Sequence, residues 1–206
     1  MTGPPRVVTP LGVVEVEIES GGASTDKIAG ASMRLGAATS WWWPDVGGLA
    51  VDVVVTPFPS CAEEAWGAVW TLTALRDSAD IRLTARLVGS EEGDPDGDED
   101  LVSLEFEANG HVVCIGGPDS VALAWDGSDL DLPVLWGWPR ADGSVGPDCR
   151  VGGRWIEWWL PALLAGESVQ HHVAVTWSPS GGTPEFEDPA WLACDAVTHH
   201  VLGPTL

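Results

Sequence analysis

The sequence predicts an all-β protein, an antiparallel β-sandwich with one or two short helices. Two observations predict this class. Apolar and polar residues alternate through many short segments, and a period of two places one face of a strand in a core and the other in solvent. Glycine-containing turn pairs separate these segments at short intervals, which is typical of sandwiches and barrels. With 206 residues, of which 45% are hydrophobic, the chain can fill one core, and we expect residues 1–206 to form a single domain.

The individual strands follow from this alternation in chain order. An apolar residue occupies every second position in Val14–Ile18, Val51–Val55, Ile81–Leu87 and Val102–Phe106. Further strands are predicted over residues 112–115, 121–125 and 169–177. Asn109-Gly110 lies between two predicted strands, and both residues tolerate positive φ. The pair therefore predicts a two-residue hairpin turn.

Two segments predict short helices. Ser60 and Glu63 have the spacing of a capping box, so we expect a turn of helix near residues 61–66 that passes into a strand. A second short helix is possible over residues 155–164, although Pro161 limits its length.

The charge of the chain excludes one class of partner. Lys27 and eight arginines stand against 31 Asp and Glu, which gives a formal net charge of −22. Such a surface repels phosphate backbones and anionic membranes, so we expect no binding to nucleic acid or membranes. Three origins of the charge stay open: a salt-tolerant or high-GC source that avoids lysine, a surface for cations or cationic partners, and a mimic of nucleic acid.

Compartment and cofactor use follow from missing sequence signals. No stretch approaches ~18 uninterrupted apolar residues, and the first residues lack the apolar core of a signal peptide, so we predict a cytoplasmic protein. The cysteines are widely separated, without a C-x-x-C pair, and are predicted to be reduced, mostly buried thiols: Cys61, Cys114, Cys149 and Cys194. Since no nucleotide-binding fingerprint or catalytic elbow is present, no cofactor is predicted.

Tryptophan supplies nearly all of the aromatic bulk, with 13 Trp against three Phe and no Tyr. An indole can fill a core or stack on the apolar face of a sugar ring, whose hydroxyls carboxylates and Arg then bind. Consecutive side chains of an extended segment alternate in direction, so the triplet 41–43 should expose at least one indole. Core filling is the alternative for most of the indoles. The predicted ligand-binding residues are Trp41, Trp42, Trp43, Asp45, Trp136, Trp138, Arg140 and Trp158.

The densest acidic segment is residues 91–100. Asp94, Asp96 and Asp98 alternate within it, and Glu105 follows, which partly matches the ligand order of a calcium loop. Glu99 stands where that loop requires glycine. We therefore expect a solvated, mobile hairpin loop without a bound metal. If a metal does bind, those four carboxylates are the predicted ligands.

The histidines include two adjacent pairs, at 171–172 and 199–200. Adjacent residues of a strand face opposite sides, so we expect His171 to join the core and His172 to be exposed. His171 is the candidate acid/base residue of a catalytic site, with Glu157 or Glu167 as its carboxylate partner. A structural role is the alternative for His171, and the 199–200 pair lacks the spacing of a metal site.

Three segments resemble galactose mutarotase-like (aldose epimerase) domains. They are residues 9–16 with Gly21-Gly22, Trp66–Trp70 leading into the strand at 80–88, and residues 160–167 before a final strand. The resemblance implies a supersandwich-like arrangement and a sugar-like ligand. The chain is shorter than is usual in that family, and Trp66-Gly67 stands where the family has His-Gly. The resemblance therefore implies sugar binding more than epimerase activity.

Taken together, these patterns predict a soluble, non-catalytic protein that binds a carbohydrate or a similar flat polar ligand. Two alternatives remain: a protein–protein module of the inhibitor or immunity type, and a minimal sugar epimerase. A His and a carboxylate converging in one pocket would favour the epimerase. Tryptophans on a flat or convex patch would favour the interaction module.

Overall fold

The fold is an all-β sandwich, as the alternation predicts. A computed structural model of the chain describes residues 4–89, 92–98, 101–119, 148–160, 162–181 and 194. Strands make up 69% of these residues and helix 1%. The strands form two antiparallel sheets that pack around a shared core.

The smaller sheet is built from six strands: β1 (Arg6–Thr9), β2 (Gly12–Ser20), β3 (Ala23–Ser24), β8 (Ile81–Val88), β12 (Asp148–Val151) and β13 (Trp155–Leu160). Its order is β1-β2-β8-β13-β12, and β3 pairs with β2.

The larger sheet is built from eight strands: β4 (Ala31–Leu35), β5 (Ala38–Val46), β6 (Leu49–Phe58), β7 (Glu64–Ala74), β9 (Asp94–Asp98), β10 (Leu101–Ala108), β11 (His111–Pro118) and β14 (Ser168–Pro179). Its order is β4-β5-β6-β7-β14-β11-β10-β9. The hairpin between β10 and β11 has the predicted two-residue turn, with φ of 52° at Asn109 and 77° at Gly110.

The core lies between the sheets and is filled by the alternate apolar residues that the sequence pattern picks out. Val14, Val16 and Ile18 of the smaller sheet face it, as do Val51 and Val53 of the larger sheet. Burying aliphatic side chains of this size contributes roughly 1.5–3 kcal/mol each. This packing fixes which side of each strand faces the core and which side faces away from it.

Neither predicted helix forms. Residues 64–74 belong to β7, and the Oγ of Ser60 accepts the N–H of Ala62 at 3.2 Å, a local bond that competes with helix formation. Residues 155–160 form β13, paired with both β8 and β12. Apolar residues in both segments satisfy a period of two in the sandwich, so tertiary packing decides against the helix.

The predicted strand at 121–125 lies outside the described residues, as do His199 and His200. Among the residues that are described, no helix has the length and apolar character needed to span a bilayer.

Candidate functional site

Charged and aromatic side chains gather on the outward face of the smaller sheet, in the part of the chain that the structure describes. We call it the outer face. Because alternate residues of β2, β8 and β13 enter the core, their neighbours project outward and are partly exposed: Glu15, Glu17, Glu19, Arg82, Arg86, Trp155, Glu157 and Trp159. Of the seven arginines in the described part of the chain, five lie on or beside this face: Arg6, Arg82, Arg86, Arg150 and Arg154.

Ion pairs organise one end of the outer face. Glu15 accepts from Arg6 at 2.8 Å and from Arg86 at 3.1 Å, and the Arg86 guanidinium lies 4.0 Å from Glu17. Burial raises the pKa of Glu17, and the neighbouring Arg86 opposes that shift. Arg6 and Arg86 sit directly opposite Glu15 on the two neighbouring strands, and Glu17 lies diagonally across from Arg86, so the strand register brings the opposite charges together.

The other end of the outer face is built around Trp159. The guanidinium carbons of Arg82 and Arg150 lie 5.5 Å and 5.2 Å from its ring centroid, within the range of cation–π attraction. Arg82 also pairs with Glu19 and lies 3.7 Å from Glu157. The hydrogen bond to Glu19 raises the pKa of Arg82, which keeps this guanidinium charged. Trp159 is therefore held in a fixed network.

A groove of about 370 Å³ opens at the end of the outer face that holds the Glu15–Arg86 ion pair. It is lined by Glu15, Arg86, Leu87, Val88, Gly89, Arg154 and Trp155. This volume falls within the range of about 300–1,000 Å³ typical of small-molecule sites. One aromatic side chain, one carboxylate and two guanidinium groups thus border a single concavity. Arg154 donates to the carbonyl of Gly89 at 3.2 Å, which positions it along the rim.

The indole of Trp155 lies directly over Gly152. A Cβ at position 152 would come within 2.6 Å of the indole Nε1 and 2.7 Å of Cζ2, closer than real side chains approach. The N–H of Gly152 also donates to the carbonyl of Trp155 at 2.8 Å and closes the turn. The absence of a side chain at position 152 therefore leaves the space that the Trp155 ring occupies.

The triplet 41–43 alternates as predicted. Trp42 is 39% exposed on the outward side of the larger sheet, whereas Trp41 packs against the core and Trp43 is buried in it. The indole of Trp43 donates to the carbonyl of Ile28 at 3.2 Å. The prediction that Trp43 belongs to a ligand site is therefore wrong, because its ring fills the core.

Two further predicted ligand residues make structural contacts. Asp45 accepts the N–H of Gly48 at 2.7 Å and closes the turn between β5 and β6. Trp158 is fully buried, and its indole donates to the carbonyl of Pro118 at 2.7 Å. The prediction that Trp158 belongs to a ligand site is therefore also wrong, because its side chain lies in the core. Trp136, Trp138 and Arg140 lie outside the described residues.

The predicted acid/base residues are not brought together. His171 is fully buried in the core and contacts Trp158 edge-on, with ring centroids 4.8 Å apart, and burial lowers the pKa of His171 to about 3. Glu157 projects to the outer face, on the opposite side of β13 from Trp158. Glu167 accepts the N–H of Leu164 at 2.7 Å in the turn before β14.

His172 is 1% exposed, so its predicted exposure is wrong. It projects to the side of the larger sheet that faces away from the sandwich core. A second apolar cluster on this side includes Ala174 and Cys194, and it covers the middle strands of the sheet. Both faces of β14 are consequently buried, as its nearly continuous burial pattern shows.

The prediction of a mobile loop in the acidic segment is also wrong. Asp94–Asp98 form the edge strand β9 rather than a mobile loop, with Asp94 opposite Glu105 and Asp96 opposite Ser103 on β10. Carboxylates directly opposite each other repel, which suits a sheet edge that must avoid pairing with another chain. Among the described residues, no group of three His, Cys, Asp or Glu is arranged to hold a metal ion.

The predicted ligand residues do not include Trp155 and Trp159 of the outer face, nor the charged groove residues Glu15, Arg86 and Arg154. The signal was present: Ile156, Trp158 and Leu160 are the apolar partners at a period of two, so their odd-numbered neighbours had to face outward. The expected helix over this segment concealed that alternation. Trp42 lies on the outward side of the larger sheet and Trp155 on the outward side of the smaller sheet. One small ligand therefore cannot contact both indoles.

No family model and no curated protein matches the chain. Among solved structures, the chain is similar to a putative kojibiose phosphorylase from human microbiome, with a TM-score of 0.46 and 10% sequence identity. The match covers 79% of this chain and 21% of that one, so the chain spans about a fifth of its length. A similarity at this level adds nothing to the functional argument. The resemblance to mutarotase-like domains stays a prediction.

Proposed function

We propose that this protein is a non-catalytic carbohydrate-binding protein and that the groove beside Trp155 is its ligand site. The observation that supports the proposal most strongly is the combination of one partly exposed indole, Glu15, Arg86 and Arg154 around a single concavity. An indole face matches the apolar face of a pyranose ring, and carboxylate and guanidinium groups match its hydroxyls.

The polar groups of the groove are held in place before a ligand arrives. Glu15 is bound by both Arg6 and Arg86, and Arg154 is anchored on Gly89. Side chains that are already ordered lose less conformational entropy on binding, which favours affinity. This arrangement suits a ligand that accepts and donates several hydrogen bonds.

The charge distribution favours a neutral sugar. The outer face carries arginines and carboxylates in comparable number, whereas the whole chain has a formal net charge of −22. An anionic ligand would be repelled by the field of the whole chain, whereas a neutral one is not affected.

The separation of His171 from Glu157 argues against the minimal epimerase. Proton transfer at a sugar carbon needs an acid and a base within hydrogen-bond reach of one substrate. His171 lies inside the core and Glu157 lies on the outer face. Binding without catalysis is the function that this geometry supports.

A glycan array probed with the full chain tests the proposal. We expect retention of neutral glycans by the wild type and by Trp42→Ala, and a loss of at least tenfold in affinity for Trp155→Ala because the stacking surface is gone. Trp42 is the matched control, since it is an exposed indole on the opposite side of the sandwich. An array without binding, or equal binding by both variants, would contradict the proposal.

The two glycines beside Trp155 give a second, subtler test. A Cβ at position 152 would collide with the indole, whereas at position 153 its nearest neighbour would be a Glu92 side-chain atom 3.6 Å away. We expect Gly152→Ala to weaken sugar binding by displacing the ring, and Gly153→Ala to leave the affinity unchanged. Isothermal titration with the best glycan from the array measures both. Equal affinities would show that the position of Trp155 does not matter.

A protein–protein function is the second candidate, and one observation favours it. Val8, Val13 and Val88 are aligned across three strands, a row that ends at the groove because Val88 is one of its lining residues; Val8 is 73% and Val88 50% exposed. An apolar row of this kind suits a second copy of the chain. An empty glycan array, together with self-association in sedimentation that Val8→Ser/Val88→Ser removes, would favour this function.

A further inference from the structure

Two buried cysteines meet on the side of the larger sheet that faces away from the core. Cys114 lies on β11, and its side chain belongs to an apolar cluster with Ala65, Val112, Ala174 and Cys194. Both cysteines are fully buried. They are 80 positions apart in the sequence, so tertiary structure alone brings them together.

Cys114 and Cys194 pack in the same small apolar cluster, and Gly116 marks the place where the second sulfur approaches β11. Cys194 is the neighbour that contributes most to raising the pKa of the Cys114 thiol, as expected of two thiols that lie side by side. Gly116 follows Cys114 by two positions on the same face of β11, and a Cβ there would collide with Cys194 Sγ. The missing side chain at position 116 is what admits the second sulfur beside the first.

We propose that Cys114 and Cys194 form an oxidisable pair that closes into a disulfide and fastens residue 194 to β11. With oxidised glutathione as the oxidant, one cysteine thiolate attacks the glutathione disulfide and expels one glutathione. The second thiolate then attacks the mixed disulfide and expels the other glutathione. The protein loses two protons and two electrons, and oxidised glutathione is reduced to two molecules of glutathione.

The same surroundings make the reaction slow in the folded protein. The neighbouring Cys194, together with burial, raises the pKa of Cys114 well above its usual range. Because the thiolate is the reactive form, attack is suppressed near neutral pH and accelerates as the pH rises or as urea loosens the cluster around the two cysteines. The exposed Cys61 and the half-buried Cys149 should react sooner, but only to form mixed disulfides.

The test uses the full chain with Cys61→Ser and Cys149→Ser, which leaves the buried pair as its only cysteines. The protein is incubated with oxidised glutathione at pH 8.5, with and without urea below the unfolding transition. Thiols are then titrated after full denaturation. We expect both thiols to disappear, the intact mass to fall by two hydrogens, and peptide mapping to show a 114–194 link.

Two outcomes would overturn the inference. One is that both thiols still titrate after incubation in urea, and the other is that glutathione adducts accumulate on Cys114 or Cys194 without closure. As a second readout, the linked form should melt about 5–10 °C higher than the reduced form, because the bond restricts the unfolded chain. Reduction with dithiothreitol should reverse that difference. An unchanged melting temperature would show that the linked cysteines do not fasten the fold.

Discussion

At the scale of single residues, the structure separates side chains that look alike in the sequence. Trp158 and Trp159 are adjacent, yet Trp158 fills the core and Trp159 lies among arginines on the outer face. His171 and His172 are also adjacent, and both are buried because each side of β14 is covered. Neighbouring residues of a strand therefore differ in role according to what packs on each face.

His171 predicts a pH dependence of stability. Burial lowers its pKa to about 3 in the folded protein, against about 6.5 in the unfolded chain. The unfolded state therefore binds more protons below pH 6.5, and stability present above that pH is lost as the pH falls towards 3. We expect His171 to reduce the free energy of unfolding by about 2 kcal/mol between pH 8 and pH 5.

Urea denaturation of the wild type and of His171→Leu at both pH values measures this effect. The variant should lose less stability on acidification than the wild type does. His111, which lies at the β10–β11 turn and is partly exposed, is the control, and His111→Leu should keep the wild-type difference. An identical pH dependence in wild type and His171→Leu would show that burial does not hold His171 neutral.

At the scale of elements, β5 shows how one strand serves two surfaces. Trp43 points inward and stacks on Trp70, with ring centroids 6.2 Å apart and planes at 19°. Trp42 points outward beside the exposed Met33 and Val54 of the neighbouring strands. A strand that alternates in this way fixes its register strongly, because a slip by one residue would place the core indole in solvent.

The alternation in β5 predicts unequal costs for two neighbouring substitutions. Trp43→Ala should lower the free energy of unfolding by about 3–5 kcal/mol, since it leaves a large cavity and removes the bond to Ile28. Trp42→Ala should change it by less than about 1 kcal/mol. Urea denaturation of both variants decides the matter. Equal losses would mean that the two indoles are equally buried.

The elements also show how far the sequence predicts the structure. The strands around Val16, Val53 and Leu104 and the turn at Asn109-Gly110 are confirmed, because alternation and turn chemistry are local signals. The strand at 155–160 was missed because helical and strand spacing agree over so short an apolar run. The groove residues come from β2, β8 and the β12–β13 turn, and strand order is not encoded locally.

At the scale of the whole molecule, charge is unevenly distributed. The formal net charge is −22, whereas the outer face pairs its carboxylates with arginines. Excess acid therefore lies elsewhere on the chain, and its self-repulsion opposes the compact state. Exposed ion pairs add little in compensation, about 0–1 kcal/mol each.

Self-repulsion predicts a salt dependence. Raising the ionic strength shortens the screening length from about 30 Å at 0.01 M to about 3 Å at 1 M, which weakens repulsion between distant carboxylates more than the attraction within close pairs. We expect the melting temperature to rise with NaCl and to rise equally with choline chloride. Differential scanning calorimetry provides the measurement. A fall in melting temperature, or a rise with sodium alone, would contradict the screening argument.

A sugar held in the groove beside Trp155 would contact the outer face of the smaller sheet. Proton–nitrogen spectra of the tryptophan indoles test this binding most directly, with the Trp155 and Trp42 signals assigned from Trp155→Phe and Trp42→Phe. On titration with the best neutral glycan from the array, we expect a saturable shift of the Trp155 indole signal and an unchanged Trp42 signal. A shift of Trp42 with Trp155 unmoved, or no shift of either at saturating glycan, would contradict the proposal.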